Sequence, residues 1–553
     1  MSGSGRVHIL KEGMNQRKGK ERNITETHTG DQYGKMRQFL SRFQETMDDR
    51  ARKDLELHDI AKTCDFQTPW GEKQFLDGCN ALKSDAEIKR IQIPCMKFRL
   101  EPKIRKELQE GLHSINCGLI DDILENNDAR ISETVEQILW KENSIGRFLN
   151  TNSVWLNCLI FWKTILLPLV AILMPVIAFI VPYVFLKLKR TPIEMSAYLE
   201  KLRGVILQQI TVPVILRSRS QNDVIGFLLE RFFIAITLTT FVASIWNQIT
   251  PAIHLRNIWF ELDERGEACR KLIQWLRRCE ELCVGPAFTQ LRNLVAEATE
   301  SIPHFESPVA TFAYFRENKE RLQKLRDCCA YIDCLLTIAG LKQICFSKSG
   351  KSDIAELRHP LLPTCVPQNI RGYKNHILLT GPNRGGKSTF LKSYALAVLL
   401  SRTWGFAWAR SCSVPSYNRL HIALTPAPVL GKTSTFEAEI DAAKAICESG
   451  GKTEFILMDE IFHSTNAIDG AAASEIFLRR LYAKEGTTSV ISTHYHGVAE
   501  SFTEGVSHVM MDTAVENGRV HYLYRAVEGI NKQSTVMEIL CERGLCVPTR
   551  KES

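Results

Sequence analysis

The sequence predicts an α/β domain at its C-terminal end, preceded by an all-α region that two long apolar segments interrupt. Three observations carry that expectation. A glycine-rich turn, Gly381-Pro382-Asn383-Arg384-Gly385-Gly386-Lys387-Ser388, separates the apolar run Ile377-Leu378-Leu379 from a helix-like stretch. A second apolar run, Phe455-Ile456-Leu457-Met458, ends in the acidic pair Asp459-Glu460. Stretches 164–186 and 232–254 contain no Asp, Glu, Lys or Arg, and about 20 apolar residues suffice for a helix to cross hydrocarbon roughly 30 Å thick.

Taken in order, residues 1–45 are polar and glycine-dotted, with a basic cluster at Arg17, Lys18, Lys20 and Arg22. Too little apolar surface is available there to offset the entropy of ordering, so a disordered basic tail is expected. Residues 46–150 form a helical segment. Residues 151–255 form a membrane module around the two apolar stretches, with Trp155, Trp162, Tyr183 and Trp246 at their flanks as interfacial aromatics. Pro168, Pro175 and Pro182 are expected to break the first stretch, which permits a re-entrant hairpin, although two spans are the simpler reading. Residues 256–350 return as helices, and 351–553 are the α/β domain, with Arg419–Leu424 and Val520–Arg525 alternating as further strands.

A length of 553 residues predicts three or four domains, and 44% apolar content is ample for packed cores. The 17 cysteines contain no C-x-x-C pair, which favours structural free thiols over zinc ligands. No secretory leader is legible. The net charge of +8 suits nucleic acid or anionic lipid equally. Lys187, Lys189 and Arg190 read as headgroup anchors, whereas Arg270, Lys271, Arg277 and Arg278 alternate with Glu264, Glu267, Glu280 and Glu281 as on a solvated helix face.

The chemistry converges on a nucleotide triphosphate. The turn fits G-x-x-x-x-G-K-[ST]: its backbone N–H groups wrap phosphates, Lys387 reaches the β/γ oxygens, and the Ser388 hydroxyl ligates Mg²⁺. A pattern this short needs support, and the acidic pair at a strand's C-terminal end supplies it, because doubly wound sheets bind ligands there. Asp459 is expected to hold the Mg²⁺ shell and Glu460 to orient or deprotonate the attacking water. The following strand, Ser489–Thr493, delivers His494 to the same edge, where it suits sensing of the γ-phosphate.

Thr380-Gly-Pro-Asn-Arg-Gly-Gly-Lys-Ser-Thr389, Ser434-Thr-Phe-Glu-Ala-Glu439, Asp459-Glu-Ile461 and Thr493-His-Tyr495, in that order, resemble the ATPase domain of the MutS family of DNA mismatch-repair proteins. Leu357-Arg-His-Pro-Leu361 resembles the family's G-R-H-P strand and Asp469-Gly470 its D-G pair. The resemblance implies an ABC-type P-loop ATPase using ATP and Mg²⁺, working as a homodimer through its ATPase domains. Ser434 would then close over the partner's nucleotide. Three departures matter. Arg384 stands where the family has Met, Phe462-His463-Ser464 replaces Gly-Arg-Gly, and Cys365 replaces an aromatic residue that commonly stacks on adenine. Leu57–Gly71 and Tyr331–Ala339 loosely resemble the start and the return of the family's helical core domain. Nothing upstream of residue 46 corresponds to the mismatch-reading and connector domains, so mismatch recognition is not expected, though DNA binding is possible. The expectation is a membrane-bound ATPase whose dimer closure moves helical levers, with its ATPase domain on the cytoplasmic side. The alternative is a membrane mechanochemical or scaffold ATPase with no nucleic-acid role.

Overall fold

The computed structural model describes residues 49–125, 135, 138–139, 144–189, 193–210, 224–425, 435–450, 453–516, 519–533, 540 and 543–545; the basic tail and Ser434 lie outside them. The chain divides into two compact units. One comprises Met1–Glu110, Leu282–Asn293 and Cys329–Ser553, the other Gly111–Glu281 and Leu294–Cys328.

In the first unit the strands are β1 Cys345–Phe346, β2 Lys348–Ser349, β3 Asp353–Leu357, β4 Gln368–Ile370, β5 His376–Thr380, β6 Phe406–Ala407, β7 Ser411–Val414, β8 Arg419–Ala423, β9 Glu454–Met458, β10 Thr487–Ser492, β11 Val506–Glu516 and β12 Arg519–Glu528. The main sheet has the order β12-β11-β5-β10-β9-β8. All its neighbours are parallel except β11 and β12, which form an antiparallel hairpin. Strands β5 and β10 are buried along their whole length, as central strands covered on both faces must be; β5 runs apolar through Ile377-Leu378-Leu379, whereas β10 buries Thr487, Thr488, Ser489 and Ser492 beside Val490 and Ile491. Lys387–Thr403 covers one face, where Tyr394 meets Phe455 of β9 at 5.5 Å. Ala467–Tyr482 covers the other, packing Phe477, Leu478 and Leu481 on Leu378, Ile456 and Ile491. A smaller sheet, β2-β7-β3-β4, leads into the glycine-rich turn.

Helices Leu57–Thr63, Pro69–Gly78 and Asp85–Leu100 belong to the same unit and dock on the α/β layer. The last begins with a reciprocal Ser84–Glu87 capping box, which satisfies two N-terminal donors. Trp404, just past the helix Lys387–Thr403, stacks on Phe75 and donates its indole N–H to Phe75 O at 3.0 Å. Gln92 donates to Ser347 O (2.8 Å) and Gly405 O (2.7 Å). The buried carboxylate of Asp333, in helix Lys319–Gly340, accepts from Thr68 N (2.8 Å), Thr68 Oγ1 (2.7 Å) and Gln67 N (3.2 Å). Gly71 permits that approach, since a Cβ there would lie 2.3 Å from Asp333 Oδ2.

In the second unit, Ser153–Phe161, a π-helical turn Trp162–Leu166 and Leu167–Leu188 follow one another without a break. The prolines expected to break this stretch do not. Pro168 stands directly after the π-helical turn, and the helix passes on through Pro175 and Pro182. No hairpin forms. Within it, Ser153–Met174 is long and apolar enough to cross a membrane, its most apolar 18 residues having a mean hydropathy of 2.1 with only 11% of them buried. The second apolar stretch lies inside the helix Val224–Leu282, whose 59 residues extend about 90 Å. Some of its side chains lie outside the described residues; of the others, Phe232, Phe241, Val242, Trp246 and Ile253 are exposed. Further along, Arg270 pairs with Glu267 and Arg278 with Glu281. Cys279 and Cys328 of this unit are buried, as are Cys283, Cys329 and Cys334 of the first.

Candidate functional site

Three loops meet at the C-terminal edge of the main sheet, because β5, β10 and β9 are parallel neighbours. The turn Gly381–Gly386 leaves β5, Asp459-Glu460 leaves β9, and Thr493-His494 leaves β10. The sheet therefore assembles residues more than a hundred positions apart in sequence.

Two glycines of the turn have a steric reason. Gly386 has φ +93°, and a Cβ on it would lie 3.2 Å from Tyr524; a Cβ on Gly381 would lie 3.0 Å from that of Met511. Arg384 adopts a left-handed φ of +67° at the tip, while Asn383 is exposed beside it. Lys387 opens the following helix, is buried, and donates to Gly381 O at 2.9 Å and Pro382 O at 3.4 Å. Burial lowers its pKa from the usual lysine value, against the raising influence of Glu460 and Asp459.

Ser388 Oγ donates to Asp459 Oδ2 at 2.8 Å. Ser492, the last residue of β10, donates to the other carboxylate oxygen of Asp459 and accepts from Glu460 N at 2.8 Å. Glu460 has a left-handed φ of +53°, and its carboxylate meets His494 Nε2 at 2.6 Å. That hydrogen bond, above all, holds the Glu460 carboxyl below the ordinary carboxylate range.

The loop after this pair is anchored from behind. Phe462 takes φ +53° and is buried, its ring 6.1 Å from Phe436 and 6.0 Å from Phe477. Its carbonyl accepts from the Tyr495 hydroxyl at 2.9 Å. Gly470 is required there, since a Cβ would lie 2.1 Å from the Tyr495 hydroxyl. His463 approaches Glu439 at 3.4 Å.

A cavity of about 530 Å³ runs from the turn toward His359, Leu362, Cys365 and Val366. Lys387, Ser388, Thr389 and Glu460 line one part of it, and Tyr524 lines it as well. Tyr524 is held by Gln368, which donates to Tyr524 O (2.6 Å) and accepts from Ala526 N (2.8 Å).

The structure thus brings together Gly381, Pro382, Asn383, Arg384, Gly385, Gly386, Lys387, Ser388, Thr389, Asp459, Glu460 and His494; Ser434 lies outside the described residues. Sequence reasoning gave no role to Ser492, Gln368 or Tyr524, and read Tyr495 only as part of the motif Thr493-His-Tyr495. Ser492 directly precedes that motif. Gln368 and Tyr524 carry no local signal, since their meaning comes from a pairing across 156 positions.

Residues 377–548 match the family model described as MutS domain V, an ATPase domain. The chain is 25% identical over 273 residues to the DNA mismatch repair protein MutS of Listeria monocytogenes serotype 4a (strain HCC23), covering 45% of this chain and 31% of that protein. The MutS protein of Shouchella clausii (strain KSM-K16) is 27% identical over 276 residues, 46% of this chain and 31% of its own. That of Pseudothermotoga lettingae is 27% identical over 299 residues, 47% and 36%. The chain spans about a third of the length of these relatives. With the ordered motifs and the sheet that gathers them, these matches show that residues 377–548 are a MutS domain V, the ATPase domain of the MutS family.

Proposed function

We propose that this chain is a membrane-bound, MutS-like ATPase that hydrolyses ATP in a dimer and moves helical levers by doing so. The observation that carries the catalytic reading is the convergence of Ser388 on Asp459 and of His494 on Glu460 at one sheet edge. The turn from Gly381 to Thr389 binds the triphosphate, with Lys387 on its β/γ oxygens. The donor set suits Mg²⁺: the Ser388 hydroxyl and the Asp459 carboxylate are hard oxygen donors and would hold it. Consistent with that, no cluster of three or more His, Cys, Asp or Glu is placed to hold a metal among the described residues. Bound there, Mg²⁺ supplies charge neutralisation on the transferred phosphoryl group. Glu460, kept ionised by His494, accepts a proton from the attacking water, and His494 orients Glu460 and reads the γ-phosphate. The base lies toward Leu362, Cys365 and Tyr524. Ser434 acts on the nucleotide of a second copy.

The membrane reading rests on the exposed apolar surface of Ser153–Met174 and of the helix carrying Trp246. A soluble helix that apolar would be covered, so a bilayer is its proposed surroundings, with the ATPase domain on the cytoplasmic side. A second reading, a membrane ATPase without nucleic acid, is favoured by the ion pairs Arg270–Glu267 and Arg278–Glu281. They neutralise the basic residues that a phosphate-binding stripe would need.

The test is steady-state ATP hydrolysis by detergent-solubilised protein, wild type beside Glu460→Gln, with and without duplex DNA. Hydrolysis that depends on Glu460 and rises with DNA supports DNA-linked function. Glu460-dependent hydrolysis indifferent to DNA supports the membrane ATPase alone. Activity equal in both proteins would overturn the catalytic assignment.

A further inference from the structure

A second cavity, of about 520 Å³, shares the walls His359 and Leu362 with the nucleotide cavity. Five separate stretches of the first unit enclose it: Thr63 to Asp65, Arg105 with Gln109, Thr337 to Gln343, Arg358 to Pro363, and Trp408. None of the motifs described above accounts for it.

Its charge is unbalanced. Arg105, Lys342 and Arg358 line it against one carboxylate, Asp65. Arg105 donates one N–H to Ala339 O at 3.0 Å, while its Nε is buried without a hydrogen-bond partner among the described residues. No described carboxylate pairs with any of the three. Elsewhere in the same unit, cations near the helix–sheet junction are paired, Arg402 with Asp85 at 2.7 Å and Lys392 with Glu56 at 2.6 Å. His359 is 5% exposed, and its Nδ1 too has no partner among the described residues. Half-buried Trp408 adds an aromatic ring.

Gathering like charges in a concave, partly desolvated site raises their mutual repulsion and focuses a positive potential into it. An anion relieves both. We propose that this cavity is a binding site, separate from the catalytic one, for a phosphate-bearing small molecule of about nucleotide size. Its volume falls within the range of about 300–1,000 Å³ common to small-molecule sites. The guanidinium forks of Arg105 and Arg358 suit phosphate oxygens, and the Trp408 ring gives a flat base a surface to stack on. Because His359 belongs to both cavities, occupancy here alters the wall of the nucleotide site.

Equilibrium dialysis of the full chain in detergent against radiolabelled AMP and, separately, pyrophosphate tests this in a Lys387→Ala background, which disables the P-loop. We expect one anion per chain to remain bound, and Lys342→Gln with Arg358→Gln to weaken it at least about tenfold, as expected for lost charge-assisted hydrogen bonds. The charge-keeping pair Lys342→Arg and Arg358→Lys retains binding, which separates loss of charge from misfolding. Tighter AMP than pyrophosphate assigns a nucleotide as the ligand, and equal affinity assigns the phosphate group as all that is recognised. Absence of binding in Lys387→Ala protein, or affinity unchanged by removing the two charges, overturns the site.

Discussion

Phe462 stands where the family pattern has glycine, and its backbone still takes the left-handed φ of +53° that glycine adopts freely. Holding an L-residue there costs about 1–2 kcal/mol. Burying the ring against Phe436 and Phe477 contributes about 2–3 kcal/mol, enough to offset the strain. Phe462→Gly should therefore destabilise the protein only slightly, by about 1 kcal/mol in a urea titration. Phe462→Ala keeps the strain and loses the ring, so it should cost about 3 kcal/mol or more. A second expectation concerns Cys365 in the nucleotide cavity. Cys365→Phe adds a stacking surface worth about 1 kcal/mol, so ATP affinity measured by competition should rise about fivefold. Glu460 gives a third. Its pKa is depressed chiefly by the His494 hydrogen bond, so the carboxylate persists above that lowered value and hydrolysis fails only as pH falls through it. His494→Ala removes the cause, so the acid limb of the pH–rate profile should move to higher pH. An unmoved limb would mean that Glu460 is not the titrating group.

Among the elements, β5 is the most informative. Its first residue, His376, is buried, shares a 2.9 Å hydrogen bond with Ser489 Oγ of β10 and packs 4.5 Å from the Tyr482 ring. Burial lowers its pKa from 6.5 to about 4. The neutral form is favoured in the fold, so this contribution is complete above the unfolded value and is lost as pH falls through about 4. The unfolding free energy from denaturant titrations should fall between pH 6.5 and 4 by an amount on the order of 3 kcal/mol, and His376→Gln should flatten that part of the curve. Strands β5 and β9 were legible in sequence because a strand covered on both faces leaves an unbroken apolar run, as in Ile377-Leu378-Leu379 and Phe455-Ile456-Leu457-Met458. The helix Leu167–Leu188 was less so, since proline's intrinsic cost suggested a break where the structure continues the helix. Ser492 was also invisible as a site residue: a serine ending a strand acquires meaning only when a neighbouring strand brings Asp459 beside it.

For the whole molecule, the exposed apolar helix predicts where the protein resides. In a flotation assay the full chain should rise with liposomes and resist extraction by alkaline carbonate. A variant carrying Leu169→Lys, Val170→Glu, Leu173→Lys and Met174→Glu should stay at the bottom, since charges at midplane depth cost about 3 kcal/mol each. Wild-type protein remaining in the soluble fraction would refute the membrane reading. The same scale joins distant parts of the chain. Asp333 grips Gln67 and Thr68, and Trp404 stacks on Phe75, so the helices before the apolar region and the domain after it make one unit. The nucleotide motifs, the strands that carry them, the apolar stretches and the family likeness could all be read along the chain, because each depends on residue types at short, contiguous spacing. The pairing of Glu460 with His494, the pocket lining at Cys365 and Tyr524, the tolerated strain at Phe462 and the gathering of cations around Trp408 could not. Each depends on side chains far apart in sequence, and packing alone brings them within a few ångströms.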